Sequence, residues 1–144
     1  MAGAEKLYTP ELLGLAVSLA DFPFDDSLSL RGSARSRSCG SALDAGFVMD
    51  GEGRVERLGL RVRACAVGQA AAAIFAQGAR GVSLAEIEAA HSEVAAWLAE
   101  VGETPAWPGI EALREARAFP GRHGAIMLPW SAALDALSSS SAPR

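Results

Sequence analysis

The sequence predicts an α+β fold: a three-stranded antiparallel sheet with about four to five helices packed mainly on one face. Three observations predict it. Two runs of alternating apolar residues, 43–49 and 58–64, flank the turn Asp50-Gly51-Glu52-Gly53, which is a β-hairpin pattern. A segment before them, 27–38, alternates arginine and serine with small or apolar residues and supplies a third, edge strand. The segments on either side carry apolar residues at helical spacing instead.

Taken in order, residues 7–20 form the first helix. Thr9 is its N-cap, Pro10 suits the first helical position, and Leu12, Leu13, Ala16, Val17 and Ala20 make its apolar stripe. Residues 21–26 turn the chain, with Phe22 and Phe24 expected to pack back onto the sheet. The edge strand at 27–38 has Leu28, Leu30, Gly32 and Ala34 on one side and Arg31, Ser33, Arg35 and Arg37 on the other. Such arginines guard an exposed edge against pairing. A second reading joins them to Arg61 and Arg63 as a basic patch for an acidic partner.

In the hairpin, Leu43, Ala45, Phe47 and Met49 lie on one face, as do Leu58, Leu60, Val62 and Ala64 in the returning strand. Cys65 stands at that strand's end, and the alanine-rich run after it is a helix. The free N–H groups of a helix beginning there would favour a thiolate. Ser83-Leu84-Ala85-Glu86 is a capping box opening a helix to about residue 101, stopped by Gly102. His91 falls on or beside its apolar side and reads as a half-buried histidine with a local hydrogen bond, or as an interface residue. A short helix at 110–117 has Glu111 and Glu115 spaced to pair with Arg114 and nearby bases. The last helix starts near His123 and runs to about Leu137, with Pro129 in its first two turns. A disordered tail occupies about 138–144.

The 144 residues suit one domain, 1–144, without internal repeats. Half the residues are hydrophobic, which excludes a disordered chain. No apolar run reaches the roughly 18 residues of a membrane helix, and residues 1–13 lack the apolar core of a signal peptide. The expectation is a cytoplasmic protein without membrane attachment. A net charge of −4 argues against nucleic acid as a partner. In the cytoplasm the two cysteines, Cys39 and Cys65, are expected as free thiols or metal ligands rather than a disulfide. No glycine-rich phosphate loop and no histidine pair on one helix is present, so no enzyme is expected.

Three motifs then stand in order. Cys39-Gly40-Ser41 precedes the hairpin, Cys65-Ala66-Val67-Gly68-Gln69-Ala70 follows it, and Arg122-His123-Gly124-Ala125-Ile126-Met127-Leu128-Pro129-Trp130 lies near the C-terminus. Together they resemble the IscU, SufU and NifU N-terminal-domain family of iron–sulfur cluster assembly scaffolds, with a SufE/NifU-like fold. The resemblance spans Tyr8 to about Leu137. That family carries Cys-Gly-Asp before the hairpin, a second cysteine opening the next helix, and a third at the start of the last helix. Here Ser41 stands at the acid's position and Ala125 at the third cysteine's.

The resemblance implies a transient iron–sulfur cluster, or a zinc or iron ion, held by Cys39 and Cys65, with His123 the nearest candidate for a third ligand. It also implies a cysteine desulfurase-type sulfur donor, apo-protein recipients, and sulfur acceptance by the cysteines. Two other readings stay open: a degenerate member acting as a non-catalytic protein-binding or zinc-binding module, and a sulfur-accepting or redox-active thiol pair. Isolated cysteines can also be plain buried apolar residues.

Overall fold

The structure is a computed structural model that describes residues 7–37 and 40–141. Helix α1 spans Pro10–Ser18 and runs into a 3₁₀ turn at Leu19–Asp21. The strands are β1 (Leu30–Arg35), β2 (Ala42–Met49) and β3 (Val55–Arg63). Helix α2 (Ala66–Ala79), helix α3 (Leu84–Leu98), a 3₁₀ segment (Ile110–Ala118) and helix α4 (Pro120–Ser141) follow.

The sheet is antiparallel, in the order β1-β2-β3. Its register sorts the side chains into rows. The rows Leu30/Phe47/Leu58, Gly32/Ala45/Leu60 and Ala34/Leu43/Val62 face the helices. The alternate rows, Arg31/Gly46/Gly59, Ser33/Asp44/Arg61 and Arg35/Ala42/Arg63, face outward. This is the in–out alternation of a sheet covered by helices on one side; on the other, Leu28 lies over Gly46 and Gly59 rather than on the side of Leu30, Gly32 and Ala34 expected from the sequence. The hairpin turn is held by Asp50, whose Oδ1 accepts from the backbone N–H groups of Glu52 (2.9 Å) and Arg54 (3.0 Å).

Helix α2 is buried around most of its circumference, as an alanine-rich helix at the centre of a core can be. Phe75, on α2, is the hub of an aromatic cluster. It stacks on Trp107 at 5.3 Å and meets Trp130 and Phe47 edge-on at 5.5 and 6.3 Å. The Trp107 indole N–H donates to the Ile74 carbonyl at 3.0 Å. Helix α4 lies against β1 so closely that a β-carbon at Gly32 would come 2.3 Å from the Ala136 nitrogen. Only glycine lets strand and helix backbones meet this way.

Several boundaries differ from the sequence reading. The buried face of α1 is Leu12 with Leu15 and, beyond it, Leu19; Leu13 and Val17 are 45% and 77% exposed. The leucines at i, i+3 and i+7 win the core, and they describe a stripe as regular as the expected one. Strand β1 is shorter than 27–38 because the chain before it crosses the outer face: a β-carbon at Gly59 would lie 2.0 Å from the Pro23 carbonyl oxygen. Phe24 does pack on the sheet, but on that outer face. Helix α3 ends at Leu98, three residues early, where Glu100 takes a positive φ of 60°. The segment at 110–118 is 3₁₀, and among the described residues Glu111 and Glu115 make no ion pair. Arg114 donates instead to the Glu111 carbonyl at 3.0 Å. Helix α4 begins at Pro120, a good first residue, so Pro129 sits deeper than two turns in; the helix continues past Leu137 to Ser141.

Candidate functional site at the cysteine end of the sheet

One end of the sheet is built where β1 turns into β2 and β3 turns into α2. The register Arg35↔Ala42↔Arg63 brings these two junctions side by side. At the first junction the chain is closed by two backbone hydrogen bonds, Ser36 N–H to Ser41 O at 2.8 Å and Gly40 N–H to Ser36 O at 3.0 Å. Gly40 adopts φ +71°, a conformation that favours glycine. Cys39 lies outside the described residues, between these anchors in the sequence.

At the second junction Cys65 is the N-cap of α2, with φ −64° and ψ 172° and no hydrogen bond from its side chain to the helix. It is a free, half-buried thiol. The junction is pinned by Gln69. Its side-chain amide donates to the Ala64 carbonyl at 2.8 Å, and its backbone N–H donates to the Cys65 carbonyl at 2.9 Å. A cysteine in place of the usual serine or aspartate cap leaves a sulfur at the helix start that the helix does not itself use.

Beneath this end the packing is made of small residues. A β-carbon at Gly68 would come 2.6 Å from the Ala64 β-carbon and 3.1 Å from that of Ala125. Position 125 therefore belongs to the same end of the molecule as Cys65, on α4, but it carries a methyl group and is only 1% exposed. Ser41 is 6% exposed and Ser36 is buried as well. Both fall on the helix-facing side by strand alternation. Ser41 brings a buried hydroxyl where a carboxylate would offer a hard, charged oxygen.

His123 is two residues before Ala125 on α4, roughly 200° around the helix from it. Its Nε2–H donates to the Arg117 carbonyl at 3.0 Å, which ties the ring to the end of the 3₁₀ segment. His91 bonds Ser131 Oγ at 3.2 Å across the α3–α4 interface, and burial holds its pKa below the ordinary 6.5. The half-burial read from the sequence holds, but the hydrogen bond is not local: it reaches a residue on another helix. Among the described residues, no three His, Cys, Asp or Glu side chains gather into a group that could hold a metal. The described part of this end therefore offers one soft ligand, Cys65.

Outside the sheet, the same end carries a concavity of about 380 Å³ lined by Arg35, Arg61, Arg63, Asp44, Ala42 and Gly40, among others. Arg61 pairs with Asp44 at 3.0 Å and lies 4.6 Å over the Phe24 ring, whose ring also carries Arg31 at 5.2 Å. Sequence reading missed the buried serine pair and the contact between α2 and α4 at Gly68. The second had a signal: a glycine inside an alanine helix, as at Gly68 and again at Gly78, marks a close approach.

Two solved structures share this architecture. A NifU-like protein (N-terminal) from Brucella abortus aligns over 97% of this chain and 99% of its own, with a TM-score of 0.86 and 23% identity. A putative iron–sulfur cluster assembly scaffold protein for the SUF system from Fervidobacterium islandicum aligns over 91% of this chain and 96% of its own, with a TM-score of 0.79 and 18% identity. No family model matches the sequence, and no curated protein does. At these identities the likeness establishes the fold, and it is the fold the resemblance implies.

Proposed function

We propose that this chain is an iron–sulfur cluster assembly scaffold of the IscU/SufU/NifU type, with a reduced ligand set. Its cargo is a transient cluster or a metal ion held through Cys39 and Cys65. The observation that carries the reading is the register at the cysteine end. It brings the β1–β2 junction beside the strand–helix junction capped by Cys65. The scaffold neighbours named above support the same reading.

A cluster or a zinc ion takes about four ligands. With Ala125 and Ser41 in place, this chain supplies at most two thiolates, and His123 contributes only if it gives up Arg117. The remaining positions fall to inorganic sulfide, solvent or a partner protein. A cargo held by two protein ligands leaves easily, which suits transfer to an apo-protein. Sulfur arrives from a cysteine desulfurase-type donor: a thiolate of this chain attacks the outer sulfur of the donor's persulfide, an S–S bond forms, and the donor thiolate leaves. The chain acts as a carrier rather than as a catalyst, in a reducing compartment such as the cytoplasm.

A second reading has one observation in its favour. The methyl of Ala125, buried at the site, removes the family's third ligand outright. The chain would then be a partner-binding or zinc-binding module. Titrating zinc, and iron with sulfide, against the protein and its Cys39→Ala and Cys65→Ala variants separates the two. Visible cluster absorption lost in both variants supports the scaffold. Zinc uptake without a cluster supports the zinc-binding module, uptake of neither metal in any form supports the partner-binding module, and a reversible Cys39–Cys65 disulfide supports the thiol couple.

A further inference from the structure

We infer that the outer face of the sheet at the cysteine end is a docking surface for an acidic segment of a partner protein, read by Arg35 and Arg63. The two arginines occupy one row across the sheet, on either side of Ala42. Two inter-strand steps separate them, about 10 Å between backbones. Both are exposed, and among the described residues neither makes an ion pair or a hydrogen bond. Between and below them lies the concavity of about 380 Å³, floored by Ala42 and bounded by Gly40.

The neighbouring arginines are already engaged. Arg61 holds Asp44, and Arg31 donates to the Leu28 carbonyl at 2.9 Å; Phe24 fills the space between their guanidinium groups. Asp44 shows what this surface accepts: a carboxylate, against a guanidinium, in the next row. Arg35 and Arg63 repeat that arrangement without the acid.

Edge guarding is in part supplied by other means. On β1 the Ser33 N–H is taken by Asp135 of α4 at 2.9 Å. On β3 the Leu60 N–H is taken by the Phe22 carbonyl at 2.9 Å, and the Val55 N–H by Val82 at 2.9 Å. Each edge is thus covered along part of its length by α4 or by backbone, and Arg35 and Arg63 project from the outer face beyond those points.

Charge complementarity names the partner's chemistry. Guanidinium groups bind carboxylates bidentately. Two of them about 10 Å apart match two acidic side chains on one partner surface better than a single small anion. A nucleic acid is disfavoured, because the patch is three strands wide on a chain of net charge −4. Gly40 borders the concavity, so a docked partner would sit beside the junction that carries Cys39.

The test uses a fluorescein-labelled hexaglutamate peptide and the metal-free full chain at 150 mM salt, read by anisotropy. Arg35→Ala/Arg63→Ala is compared with Arg80→Ala/Arg114→Ala, which removes the same charge elsewhere. The first variant is expected to weaken binding at least about tenfold, and the second to leave it near wild type. Hexaglutamine is expected not to bind. Cys65→Ala is expected to bind the peptide as wild type does, so failure of the metal reading leaves this result intact. Thermal melts confirm that both double variants are folded. No binding by the wild type, or equal losses in the two double variants, would overturn the inference. So would inorganic phosphate at equal charge displacing the peptide completely, because the face would then be a small-anion site.

Discussion

The two ends of the sheet are built from opposite materials. At one end Phe47 sits in the row Leu30/Phe47/Leu58, over Phe75, Trp107 and Trp130. At the other, Ala34, Leu43 and Val62 give way to Ser36, Ser41 and Ala64, over Gly68 and Ala125. Large interlocked rings bury much area and tolerate little change. Methyl groups, hydroxyls and a glycine bury little area per residue, and a thiol stands at their margin. Burial of large side chains is thus weighted toward one end, and substitution at the thiol margin should disturb the domain less than substitution among the rings.

The largest expected contrast comes from truncating each end. Phe75→Ala should cost about 3–5 kcal/mol in urea unfolding. Cys65→Ala should cost no more than about 1 kcal/mol, yet abolish metal uptake. Equal costs would erase the distinction between the ends. Gly68→Val sharpens it from the other side. The added carbons must displace Ala64 or Ala125, with an expected loss of about 1–3 kcal/mol from overpacking. A neutral outcome would mean that this end is looser than its distances indicate.

Ala125→Cys places a thiol at the position facing Gly68 and, on the proposed function, should tighten zinc binding by about tenfold or more, measured by competition with a chromophoric chelator. Unchanged affinity would show that position 125 cannot reach the cargo. The smallest expected effect is a pH dependence away from both ends. His91 has a folded pKa below its ordinary 6.5, because burial opposes its charged form. The stability tied to its neutral state is therefore present above pH 6.5 and lost as pH falls through 6.5 toward the folded value. His91→Gln should flatten that part of a stability–pH curve. Asp50, Asp25 and Glu86 are also held below their ordinary values by hydrogen bonds, chiefly from Arg54, Ser27 and Ser83 respectively. Their contribution is present above the ordinary carboxylate range and lost on acidification below it, a separate window.

The sheet was legible because its signals are local. Alternation fixed which of Leu43, Ala45 and Phe47 point inward, and the Asp50–Gly53 turn fixed where the hairpin reverses. The Ser83–Glu86 capping box was equally direct, and both of its reciprocal hydrogen bonds form. Helix α1 was harder, since Leu12/Leu13 and Leu15/Val17 allow two stripes and only contact with α2 chooses between them. The start of α4 was misread at His123 because Pro120-Gly121 looks like a breaker, whereas a proline at the first helical position begins a helix. At the site, the N-cap position of Cys65 followed from the strand alternation and the alanine run. The tie between His123 and Arg117 could not be foreseen, because it depends on how a 3₁₀ segment meets a helix. Gly68 hinted at a close approach, but that Ala125 is what approaches it is a contact between two distant helices, which one sequence does not record.

Whether the small-residue end grips a soft ion is tested most directly by X-ray absorption at the zinc edge of the zinc-loaded protein. The account requires a shell of sulfur at about 2.3 Å that shrinks in Cys65→Ala and in Cys39→Ala. A first shell of oxygen and nitrogen alone, or a sulfur shell unchanged by both substitutions, would contradict it.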